Sequence, residues 1–226
     1  MSFNIEKFEV LRIGNNEKLK QEIKYKTPDG TILPEKSTVK DLGIIFNSKG
    51  DFTDHINTKT AKARSIAGLI LRTFISREQA PMMMLFKSLV IPIIEYGSII
   101  WNPYKKCDIN QIEAVQRSFT SKLEGLEDKN YHQRLKSLNI YSLERRRERY
   151  DILYAFKILK KIVPNIGLQF KWSPRRGRNL VPPPVRKNSS EHAKTLRKSS
   201  FRSRVSRLFN SIPGAIRDVQ DQIYAG

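Results

Sequence analysis

Cysteine is nearly absent from this sequence: Cys107 stands alone among 226 residues. A single thiol makes no internal disulfide and no Cys-rich zinc site, and it fits a reducing compartment, cytoplasm or nucleus. Histidine is also scarce. His55, His132 and His192 lie far apart with no second ligand at metal spacing, so each reads as a solvated or capping residue. Long apolar runs are missing too. In the most apolar region an uncharged stretch from Ser88 to Ile94 is bounded by Lys87 and Glu95 and contains Pro92. A membrane-spanning helix needs roughly 18 or more apolar residues, so a membrane anchor is not expected. The opening "MSFNIEKFEV" has neither the basic region nor the apolar core of a secretory signal. No Walker loop and no Gly-rich dinucleotide fingerprint occurs. The adjacent carboxylates Glu127 and Asp128 sit in a polar stretch, where solvation explains them better than a bound metal. No catalytic constellation, metal site or cofactor is therefore expected from these residues.

Negative charge is the other shortage. The chain has 22 Asp+Glu against 42 Lys+Arg, a net charge of +20. Such an excess repels itself, and a polyanion is the partner it implies. Half of the excess falls in residues 164–226.

The first fifty residues alternate as strands do. "KFEVLRIG" is one candidate. "EIKYK" and "TILPE" flank the turn signal Pro28-Asp29-Gly30, and "KDLGIIFNSKG" is a further β segment. A small antiparallel sheet or a pair of hairpins is expected. After residue 51 the period becomes helical. Ile56, Thr60, Ala63, Ala67, Ile70, Leu71 and Phe74 share one face, with Lys62 opposite and Lys59 and Arg64 on the flanks. A second helix should bury Leu85, Phe86, Leu89, Ile93, Tyr96, Gly97 and Ile100 and bend at Pro92, with Gly97 admitting a neighbouring helix. Asp108 has capping-box spacing to Gln111, a short helix should follow Asn130, and Ser142 should cap a helix running to about Val163. Residues 173–200, rich in Pro, Ser and Arg, read as an extended or partly disordered arm. "FRSRVSRLFNSIP" then returns to a docked helix.

The expected fold is α+β and mostly α. A small N-terminal antiparallel β segment spans residues 1–50, and a helical bundle spans 51–172. A basic linker covers 173–200 and a helical tail 201–226. Candidate phosphate contacts are Lys40, Lys59, Lys62, Arg64, the run "ERRRER" with Arg145, Arg147 and Arg149, and the arm with Arg175, Arg176 and Arg178. The run has two readings. Ion pairs Glu144–Arg147 and Arg147–Asp151 would neutralise part of it, or the helix end faces phosphates. Tyr96, Trp101 and Tyr104 are either base-stacking platforms or core.

Four segments, in order, carry a resemblance: "VKDLGIIFNSKGDFTDHI", "FKSLVIPIIEYGSIIWNPY", "INQIEAVQRSFTSKLEGL" and "HQRLKSLNIYSLERRRERYDILYAFKIL". Together they resemble the C-terminal part of jockey-type non-LTR retrotransposon (LINE-like) reverse transcriptases, and "RVSRLFNSIP" is similar to the family's Trp-Asn-Ser-Leu-Pro ending. The resemblance implies the end of a palm, a thumb and a C-terminal extension. Lys7 would match the motif D lysine, although Phe8 stands where the family has Cys. Lys40 to Asn47 would be the primer-grip hairpin, and the helices from Phe52 the thumb. The family's Asp-Asp hairpin, which holds Mg²⁺, lies upstream of motif D and has no counterpart here. The implied role is RNA, DNA or RNA–DNA duplex binding without polymerisation by this chain alone, alongside the missing polymerase core. A stand-alone nucleic-acid-binding protein, or a helical remnant with no enzymatic role, is the alternative.

Overall fold

A computed structural model describes residues 8–14, 23–164, 168, 170–174 and 179–213. Within them the chain is α+β and mostly α. Strand β1 (Val10–Leu11) pairs with β2 (Glu35–Lys36) in parallel, not in the antiparallel manner expected. Parallel pairing needs a long return connection, and the stretch between Leu11 and Glu35 is long enough to provide it. The Pro28-Asp29-Gly30 turn forms as expected: Gly30 N–H donates to Thr27 O at 2.9 Å, and Lys26 bridges Ile32 across it.

Strands β3 (Thr38–Asp41) and β4 (Ile44–Asn47) form an antiparallel hairpin with Asp41 opposite Ile44. Only Leu42 (φ 44°) and Gly43 (φ 83°) join them. Two successive positive φ values match the twist of a tight hairpin, but a leucine adopts one only against steric cost. The hydroxyl of Tyr96 donates to Leu42 O at 3.1 Å and fastens the tip.

Helix α1 (Thr53–Thr73) buries Ile56, Thr60, Ala63, Ala67 and Ile70, the stripe read from the sequence. Asp51 closes its start, accepting from Thr53 N–H at 3.2 Å. The next helical run is segmented into α2 (Gln79–Leu85), a π turn (Phe86–Val90), α3 (Ile91–Glu95) and α4 (Ser98–Trp101). Its buried face is Met82, Met83, Phe86, Val90, Ile91, Ile94, Ser98 and Trp101, whereas Leu89, Tyr96 and Ile100 are exposed. Pro92 supplies no N–H for the carbonyl of Ser88, and the π turn just before it takes up the mismatch. One inserted residue rotates everything after it by about 100°, which moves the expected stripe off the core. The run breaks at Gly97 (φ 66°), where a Cβ would lie 2.8 Å from Ile44 Cδ1. The close neighbour is thus strand β4, not a helix.

Helix α5 (Lys106–Thr120) starts two residues before the expected cap. Asp108 instead lies buried in its first turn and accepts from Thr53 Oγ1 at 3.3 Å. Helix α6 (Tyr131–Ser137) has a capping box between Asn130 and Gln133. Helix α7 (Leu143–Leu159) is capped by Ser142, which accepts from Arg145 N–H at 3.2 Å, and it stops short of Val163 with Lys161 at φ 57°. These helices and β4 share one core, with Phe86 stacked on Phe119 at 4.5 Å and Trp101 inside.

The arm expected to be extended or disordered is more ordered where it is described. Strand β5 (Lys171–Trp172) pairs antiparallel with β6 (Leu180–Val181). Helix α8 (Glu191–Ser199) is capped by Ser190, which accepts from Ala193 N–H at 3.2 Å. Helix α9 (Phe201–Ser211) docks as expected. Ala155, Leu180 and Val205 form a second small core with Leu159, Phe170, Phe201 and Phe209 around it. Asn210 binds β6 like a further strand, accepting from Leu180 N–H at 2.9 Å and donating to Leu180 O at 3.0 Å. Among the described residues no helix is long and apolar enough to cross a membrane.

Candidate nucleic-acid interface

The β3–β4 hairpin is fixed to α1 by polar contacts. Asn47 Nδ2 donates to Asp51 Oδ1 at 3.0 Å and to Asp54 Oδ2 at 2.9 Å. Lys105 Nζ reaches Asp51 Oδ2 at 2.8 Å. Burial works to raise the pKa of Asp51, but the hydrogen bonds from Lys105, Asn47 and Thr53 N–H outweigh it and hold the carboxyl at about 2. His55 Nδ1 accepts from Ile45 N–H at 3.2 Å, and the imidazole lies 5.2 Å from the Trp101 ring. His55 is fully buried, not solvated as expected. Burial first, and then the charge of Lys59, lowers its pKa to about 4.

This junction brings together three of the sequence candidates. Lys40 of β3 and Lys62 of α1 both act on Lys59, whose pKa is lowered by burial first and then by these two charges. Lys59 Nζ lies 5.9 Å from the centre of the Tyr96 ring. None of the three lysines has a carboxylate partner among the described residues, so their charge is open to an external anion. Leu42, 83% exposed, projects at the hairpin tip close to Tyr96. Arg64 stands apart: it is exposed and donates to Gln111 O at 3.3 Å, tying α1 to α5.

The arginine run divides. Arg145 and Arg149 are exposed, with the Arg145 guanidinium 5.1 Å from the Tyr141 ring. Arg146 pairs with Glu95, its Nη2 at 2.9 Å from Oε2. Arg147 is only 1% exposed and does not stand on the outer surface. It occupies the inward series Leu143, Arg147, Asp151, Ala155 and Ile158, and that spacing was the signal overlooked in the sequence. Its Nε donates to Asn102 Oδ1 at 3.2 Å, while Nη1 and Nη2 have no partner. Burial lowers its pKa against the opposing pull of Glu113, Glu144, Glu95 and Asp151. Neither ion pair expected for Arg147 forms. Asp151 is held instead by Asn102 Nδ2 at 2.9 Å and by Arg204 of α9 at 2.9 and 3.3 Å.

Trp101 is core, its Nε1 donating to Tyr96 O at 2.7 Å, whereas Tyr96 is exposed and Tyr104 half-buried. Lys7, Arg175, Arg176 and Arg178 lie outside the described residues. Sequence reasoning missed Lys106 and Arg207, which line a cavity of about 420 Å³ between α7 and α9. It also missed Tyr141, beside a second cavity of about 530 Å³. No periodic signal marks them, because they meet only when the tail docks. Among the described residues no three His, Cys, Asp or Glu side chains gather into a metal-holding group, and Cys107 is free and exposed. Neither protein-family models, nor curated proteins, nor solved structures give a match to this chain.

Proposed function

We propose that this chain is a nucleic-acid-gripping unit, the palm end and thumb of a jockey-type non-LTR retrotransposon reverse transcriptase, and that it holds primer–template duplex without catalysing nucleotide transfer. The observation that carries this reading is the cluster of Lys40, Lys59 and Lys62, unpaired with any carboxylate, beside exposed Tyr96 and Leu42. A basic surface of this kind suits the phosphate backbone of an A-like duplex, which is read by shape and charge. The hairpin that resembles the primer grip contributes Lys40, and the first thumb-like helix contributes the other two. The partners are RNA, DNA or an RNA–DNA duplex and the polymerase core itself. Mg²⁺ would belong to that core, and the compartment is intracellular and reducing, cytoplasm or nucleus.

The test is fluorescence anisotropy of a labelled RNA–DNA duplex across a salt series. Replacing Lys59 and Lys62 with Gln should make the log–log salt slope shallower by about 1.8, at about 0.9 per phosphate contact. An unchanged slope in a folded variant would remove the cluster from the interface. No duplex binding at low salt would sink the reading altogether.

A further inference from the structure

Helices α7 and α9 meet in a seam that the nucleic-acid reading above does not use. Two cavities, of about 420 and 530 Å³, adjoin there and share Glu148 and Leu208 in their walls. Lys106 and Arg207 line the first, and Arg145 and Arg149 line the second. All four cations are exposed, and none makes a hydrogen bond or salt bridge through its side chain among the described residues. Tyr104 stands in the first wall, and Tyr141 in the second with Ile152 and Ile212.

Resting on that same nucleic-acid reading, we infer that the α7–α9 seam binds single-stranded RNA or DNA, one nucleotide in each cavity. A duplex presents phosphates on a convex surface and keeps its bases stacked, so it leaves concave, partly apolar hollows empty. An unpaired strand fills them, its bases against aromatic and aliphatic walls and its phosphates on the cationic rim. Glu144 and Glu148 also line the seam, and Glu148 is held partly desolvated beside Glu144 and Asp151. These carboxylates repel phosphate but accept hydrogen bonds from base N–H groups, which orients the bases inward. The docked tail supplies Arg207 and Leu208, so the site exists only while α9 is in place.

The probes are a labelled oligouridylate and an RNA–DNA duplex of equal length, followed by anisotropy across a salt series. Arg149→Gln/Arg207→Gln changes two exposed, unpaired residues and should leave the fold intact. Its single-strand salt slope should become shallower by about 1.4, at about 0.7 per phosphate contact, with the duplex slope unchanged. Ultraviolet cross-linking of the oligouridylate should map to Tyr104 or Tyr141. If wild type binds both probes and the variant weakens both equally or neither, the seam is not a single-strand site, and the duplex reading stands. Displacement of the oligouridylate by an acidic peptide at equal charge would assign the seam to a protein partner and overturn the inference. Failure to bind either nucleic acid would overturn both readings.

Discussion

In the folded chain His55 Nδ1 accepts the Ile45 N–H, and an imidazolium has no lone pair with which to do so. Burial and Lys59 place its pKa at about 4 against an ordinary 6.5. The unfolded chain therefore takes up this proton first as the pH falls. Stability from His55 is fully present above about 6.5 and is lost as the pH drops toward 4, to an extent on the order of 3 kcal/mol. Urea melts at pH 7 and pH 4.5 should show this loss in wild type and much less of it in His55→Gln, whose carbonyl accepts the same N–H without titrating. Equal pH dependence in the two proteins would rule the imidazole out as its origin. The sequence did not disclose this role, because a lone histidine beside Ile56 has no partner within its own helix. Its partner is a backbone N–H on β4, which only the hairpin fold supplies. Arg147 was hidden for the opposite reason. Its neighbours in the run are charged, and they mask a spacing from Leu143 and Asp151 that is that of a buried face.

At the scale of elements, α9 packs on the bundle through the second small core and, among the described residues, a buried ion pair to Asp151. Arg204 bonds Asp151 and also the carbonyls of Ser199, at 2.7 Å, and Ile99, at 2.9 Å. Removing one partner of a buried pair commonly costs about 3–5 kcal/mol. Here a second guanidinium, Arg147, stands one turn before Asp151 with both Nη groups unpartnered. Arg204→Met is therefore expected to cost only about 1–2 kcal/mol in wild type, as Arg147 takes over the carboxylate. In an Arg147→Met background the same change should cost about 3–5 kcal/mol. Equal costs in the two backgrounds, measured by urea unfolding, would show that Arg147 does not exchange. The elements themselves were largely legible. The stripe of α1, the caps at Asn130 and Ser142 and the amphipathic tail all follow from local pattern. Pro92 announced a defect, but not that a π turn would absorb it and rotate Leu89, Tyr96 and Ile100 outward. Helix α8 was obscured by the Pro- and Arg-rich residues before it, although the Ser190 cap was there to be read.

For the molecule as a whole, the net charge of +20 and the absence of any Asp-Asp dipeptide in the sequence set the expectation. Two-metal nucleotidyl transfer needs clustered carboxylates to hold its ions. Purified protein given a primed RNA template with Mg²⁺ or Mn²⁺ is expected to yield no extension product, and template-dependent product would refute the proposal that this chain grips duplex without catalysing transfer. His192 Nε2 meets Lys49 O at 2.8 Å, and Arg204 reaches Ile99 O from far along the chain. A ribosome releases residues 49, 99 and 151 well before 192 and 204, so these contacts form only late in synthesis. The core around Phe86 and Phe119 can assemble first, with Asp151 already made and Arg204 still to come. During that interval the cation on its own helix, Arg147, is the one within a turn of it, and the nascent chain need not wait with a bare buried carboxylate.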